Sequence, residues 1–291
     1  MLVSSCPRRA LCVLSGLPPF MSFLPLVAGN RGLNTHGMLT TFIPNLHADQ
    51  PDGALNLSQR SRLTAALLAA RWLRPRRTRR RPSGLAKELG NPAVWTAIES
   101  PQGQLANRAW ALACEHQPAW LVNHALRTHA WGQALGVIDG LSPDKEVLFA
   151  AAMLHDVGLT PAAAHPPHHC FSIRSARYAK DHLSDATDAA KLNVVAEAIA
   201  RHLDLQVSLN DGVEAHLLQA GAMADVVGQG IAKLPAPMRE HVVSTHPRLG
   251  MKVELCRCMA REAAAAPYSR AACYVRRIDF LNLIRHAPYD E

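Results

Sequence analysis

From about residue 103 to residue 285 the chain is a succession of apolar rows at helical spacing, broken at Gly, Pro, Asn and Asp, with no alternating β-branched run among them. A chain patterned this way has no strand to offer a sheet and must bury helix against helix, so the fold class expected is all-α. The periods fall at 104–115, 119–137, 144–156, 171–183, 186–203, 212–232, 236–246, 248–265 and 269–285, and together they predict a helical domain over 103–286. With 48% hydrophobic residues, the chain can fill such a core.

The first hundred residues read differently. They carry 13 Lys+Arg against 4 Asp+Glu, whereas residues 101–291 carry 18 against 19, so the net charge of +8 belongs to the N-terminal third. Seven arginines crowd between Arg71 and Arg81, directly after an amphipathic stretch at 58–73 that predicts one short helix. Self-repulsion predicts that this basic, Pro/Arg-rich extension, 1–100, is poorly ordered; contact with an anionic membrane or nucleic acid is the other reading of the arginines. The even charge of the helical region predicts no specific nucleic-acid partner. At the N-terminus Arg8 and Arg9 precede an apolar stretch with the outline of an export signal, but Pro18, Pro19 and Pro25 interrupt it, so a cytoplasmic protein is expected. No run of 18 apolar residues predicts a membrane span. The seven cysteines, among them Cys256 and Cys258 without a two-residue spacer, read as reduced thiols.

Four ionisable side chains sit on faces that should be buried. The row Leu121, His124, Thr128, Trp131, Leu135 turns His124 inward, and Asp225 shares a row with Leu218, Gly221, Ala222 and Gly228, small residues that permit close helix approach. His155 and Asp156 end the run "VLFAAAMLHD", which is apolar on both sides. Singly, each has an ordinary explanation: a hydrogen-bonded core histidine, or the polar end of a helix. Together, two imidazoles and two carboxylates suit one divalent ion such as Zn, Fe or Mn, whose charge makes their burial tolerable.

The order His124, His155-Asp156, Asp225, each block on its own helix, resembles the metal site of the HD-domain superfamily. The stretches "LVNHALRTHAWGQAL", "AAMLHDVGLT", "AEAIARHLD" and "HLLQAGAMADVVGQGI" are most similar to its cyanamide-hydratase-like branch, over residues 103–285. The resemblance implies that His124, His155, Asp156 and Asp225 are metal ligands and that Gly158 lets the chain turn away behind the pair. It makes Asp156, His202 and Arg127 the catalytic group: His202 would be a proton donor or substrate contact, and Arg127 would grip an anion or pair with a carboxylate such as Asp156. His165, His168 and His169 could close the pocket, serve a second metal, or be a solvated cluster. One departure stands out: many relatives read Phe-Glu where this chain has Phe171-Ser172. The implied activity is hydrolysis of a small phosphorylated substrate by a metal-bound hydroxide. Hydration of a small nitrile is the alternative, and a non-catalytic ligand-binding module a third. The four blocks hold only Arg127, Arg174, Arg177 and Arg201 as cations and Trp131, Phe171 and Tyr178 as aromatics, which predicts a small-molecule substrate rather than a nucleotide.

Overall fold

A computed structural model describes residues 52–72 and 101–291, with residues 89, 91 and 95 between them. All belong to the compact unit Ile43–Glu291. The expected poor order of residues 1–51 and of the arginine run beyond Trp72 lies outside the described residues. Among the described residues there are eleven α-helices and no strand: α1 (Leu57–Trp72), α2 (Gln104–His116), α3 (Ala119–Asp139), α4 (Lys145–Leu154), α5 (Phe171–Leu183), α6 (Ala189–Arg201), α7 (Val213–Val227), α8 (Ala236–Thr245), α9 (Met251–Ala265), α10 (Arg270–Arg277) and α11 (Phe280–Arg285). The chain is all-α, as its periodicity predicts.

Among the differences from the apolar periods, three fall at a residue of left-handed backbone conformation. The period 269–285 is two helices because Asp279 adopts φ 53, a left-handed conformation that a short polar side chain tolerates. Helix α7 stops at Val227, where Gly228 takes φ 76, and α9 starts only after Gly250, also at φ 76.

The small-residue face of α7 does what its composition predicts. A Cβ at Gly221 would lie 2.2 Å from the Thr128 carbonyl oxygen, and one at Gly132 would lie 2.7 Å from that of Leu217. Backbone therefore meets backbone where α3 crosses α7, which brings Asp225 against His124. Helix α4 runs through the middle of the bundle. Asp144 caps it by accepting from the Glu146 and Val147 amides, and every residue from Val147 to Leu154 is buried, so its last turn delivers His155 into the interior.

Helix α1 is seated on the bundle. Leu55, Leu63 and Leu67 are buried in one cluster with Met251, Leu255, Met259, Tyr274 and Phe280. A short strap precedes it: Ala54 bridges to Ser269, the Leu55 amide donates to the Tyr268 carbonyl, and the Cys170 amide donates to the Asp52 carbonyl. Packing in this unit thus starts upstream of the helical periods.

One buried histidine on α3 lies away from the site. His129 is only 3% exposed and meets Phe149 edge-on at 5.1 Å. Burial, with the nearby His246 and Lys145, pushes its pKa from 6.5 to about 3. The unfolded chain therefore binds a proton that the folded chain refuses. His129's contribution to stability is complete above pH 6.5 and is lost as pH falls from there toward 3. Denaturant titrations should show His129→Leu with a shallower pH dependence than wild type, by up to about 1.4 kcal/mol per pH unit. Equal slopes between about pH 6 and pH 4 would contradict the assignment.

Candidate metal centre

The end of α4 is held by α5. Gly158 donates its amide to Ser175 Oγ (2.8 Å) and its carbonyl accepts from Arg174 Nη2 (2.6 Å). A Cβ at Gly158 would stand 2.2 Å from the Phe171 carbonyl oxygen, so this glycine is demanded by close approach. It is not among the glycines of positive φ, and the chain turns away behind the pair in a 3-10 turn, Val157–Leu159.

Four side chains converge in front of this junction. His124 Nε2 lies 3.2 Å from His155 Nε2 and 3.5 Å from Asp156 Oδ2, His155 Nε2 lies 3.4 Å from Asp156 Oδ2, and His202 Nε2 lies 3.4 Å from Asp156 Oδ1. Their other ring nitrogens are committed: Nδ1 of His155 to the Ala152 carbonyl (2.7 Å), of His202 to the Ile199 carbonyl (2.6 Å), and of His124 to Asp225 Oδ2 (2.8 Å). Each of those partners only accepts, so Nδ1 of each ring donates, and a neutral ring then turns an Nε2 lone pair inward. With the rings neutral, three lone pairs and a carboxylate face one another, an arrangement that a bound cation would satisfy. Ligand atoms of His124, His155 and Asp156 all lie within 4.8 Å of one another, and this buried group could hold a divalent ion.

The electrostatics agree. Burial, with the neighbouring histidines, holds the His155 pKa at about 3 despite Asp156, which keeps the ring a neutral donor. Burial alone would raise the Asp156 carboxyl, but His155, His124 and His202 bring it well below the usual carboxylate range. At His124 burial works to lower the pKa, and the hydrogen bonds to Asp156 and Asp225 outweigh it, leaving the site avid for positive charge.

Asp225, the fourth expected ligand, stands behind His124, on its Nδ1 side. Arg127 grips it through Nε to Oδ1 (2.8 Å) and Nη2 to Oδ2 (2.9 Å), while Trp131 Nε1 (3.1 Å) and Arg248 Nη1 (3.3 Å) also reach Oδ1. Burial would raise this carboxyl, but Arg127 and His124 drive it far down. The structure therefore brings His124, His155 and Asp156 together with His202, and places Asp225 against the Nδ1 side of the His124 ring. Arg127 pairs with Asp225 and not with Asp156. Its Nη1 donates to the His246 carbonyl (2.7 Å) and it is wholly buried, so it does not line the cavity. His168 and His169 meet edge-on at 4.6 Å, with His169 Nδ1 2.7 Å from Arg177 Nη1, and neither they nor His165 line the site.

A cavity of 40 Å³ opens in front of the cluster, walled by Phe171, Leu203, Met223, Val226, Met259 and Phe280, among others. No lysine or arginine lines it. Arg248, Met259 and Phe280 were not singled out from the sequence, because they lie on or before C-terminal helices outside the four blocks and no polar interruption marks them.

The described residues form an all-α bundle with a buried imidazole–carboxylate cluster, at the junction of its central helices, that could hold a divalent ion. The HD domain family matches residues 121–281, more than half of the chain, and the chain belongs to that family. Its members are generally metal-dependent phosphohydrolases. No curated protein matches the chain significantly. Among the described residues no helix is long and apolar enough to cross a membrane.

Proposed function

We propose that the protein is a metal-dependent enzyme that adds water to a small, uncharged electrophile, a nitrile-like molecule of the kind its resemblance to the cyanamide-hydratase-like branch suggests. The observation that carries this reading is the cavity: beyond His124, His155, Asp156 and His202 its walls are apolar, and it offers no guanidinium or ammonium to a phosphate. A water needs roughly 10–15 Å³ of such space, so 40 Å³ suits a substrate of a few heavy atoms.

His124, His155 and Asp156 would hold the ion, which when bound supplies a Lewis acid and a water acidified toward neutral pH. Asp225, neutralised by Arg127 and Arg248, keeps the His124 proton on Nδ1 and its lone pair forward. His202 presents an unprotonated Nε2 beside Asp156, where it can take a proton from water and return it to the substrate nitrogen. The apolar walls exclude bulk water and strengthen each of these interactions.

Hydrolysis of a small phosphate ester is the second reading, favoured by the usual chemistry of the family. Protein reconstituted with Zn, Mn or Fe should turn over small nitriles with a higher kcat/KM than simple phosphate monoesters, and nucleotides least of all. A phosphate ester preferred by tenfold or more, with nitriles inert, would establish the second reading in place of the first.

A further inference from the structure

We infer that Arg270, on α10, is a positioning residue that sets the imidazole of His202 against the cluster, acting through Asp204, Ser172 and the end of α6. This rests on the reading of His202 as the group that handles the proton. Helix α6 ends at Arg201, and His202 sits in the turn that follows, where a helix leaves its last carbonyls without partners. Arg270 Nη2 donates to one of them, that of Ala200 (2.7 Å), and to Ser172 Oγ (2.9 Å), while Nη1 donates to the carboxylate of Asp204. One turn further along α10, Tyr274 Oη donates to the Leu203 carbonyl (2.6 Å). Backbone on both sides of His202 is thereby fixed to one helix.

The same guanidinium acts on the ring from its other face. Ser172 follows Phe171, whose ring packs 5.6 Å from that of His202, with His155 4.9 Å away on another side. Arg270 is 1% exposed and Asp204 8%, so the pair is shielded from solvent and its planar fork sets the geometry. Where Ser172 stands in place of a carboxylate, Asp204 meets the charge. The hydrogen bonds of Arg270 go to Asp204, Ser172 and the Ala200 carbonyl beside His202, so loss of Arg270 should disturb His202 more than His124 or His155.

The test compares wild type, Arg270→Lys and Tyr274→Phe, each with and without Zn(II), by nitrogen NMR of the histidine side chains and by elemental analysis. Wild-type His202 should show the pattern of a single Nδ1-protonated ring. In Arg270→Lys that pattern should be lost to a broadened or mixed-tautomer signal, while the His124 and His155 signals and the zinc content stay as in wild type. Tyr274→Phe, which removes one hydroxyl and keeps the packing, should shift the His202 signal in the same direction by less, and decides the matter if Arg270→Lys does not fold. An unchanged His202 signal in the folded variants would overturn the inference, as would equal disturbance of all three histidines. Because the tautomer is readable in metal-free protein, a wild type that fails to take up zinc would refute the metal reading alone.

Discussion

Alanine at His124 or at Asp156 is expected to remove the divalent ion and the activity together. Among the described residues His124, His155 and Asp156 are the buried group that could hold a metal, and loss of one leaves two donors, too few to retain an ion through dialysis against a chelator. Elemental analysis of wild type should give about one ion per chain, with His202→Ala keeping it and both ligand variants falling to background. Chelated wild type should lose turnover and regain it on addition of Zn, Mn or Fe. Full metal in both ligand variants would dismiss the site, and a wild type with no affinity for any divalent ion would favour a ligand-binding module without turnover.

Asp225→Ala should fail differently. Its carboxylate is the meeting point of Arg127, Arg248, His124 and Trp131, with both ion-paired arginine side chains fully buried. Removing it strands the Arg127 guanidinium in the interior and leaves Arg248 with Glu291 alone, a change that costs on the order of 3–5 kcal/mol, against a total stability of about 5–15 kcal/mol for a typical domain. Denaturant unfolding of metal-free protein isolates this cost from metal binding. Asp156→Ala should show little of it under the same conditions. If Asp225→Ala proves as stable as wild type without metal and merely loses its ion, Asp225 serves as a ligand and not as a buttress.

Much of the fold was legible because helix periodicity reports directly on burial. The rows through His124 and Asp225 point inward as read, and the Gly221 face makes the close crossing its composition announced. What the rows do not carry is pairing between helices. Arg127 was readable as a partner for a carboxylate, but the choice of Asp225 over Asp156 depends on how α3 meets α7, a distance no single helix encodes. The break between α10 and α11 turns on one residue, Asp279, in a conformation that aspartate tolerates without advertising. Arg270 escaped notice for another reason: its partners, Ser172, Ala200 and Asp204, come from segments up to 98 positions away in the chain.

The strap at residues 52–56 has a consequence for how the molecule is made. Asp52 and Leu55 close onto Cys170 and Tyr268, and the apolar face of α1 onto α9, α10 and α11. On the ribosome the strap and α1 emerge roughly a hundred residues ahead of the first of these partners, and α1 waits, leucines uncovered, until nearly the whole chain has been synthesised. Closing so long a loop is entropically slow. The last step of folding should therefore be the docking of the N-terminal helix, and translation arrested before α10 should leave a nascent chain whose Leu63 and Leu67 are open to chaperones.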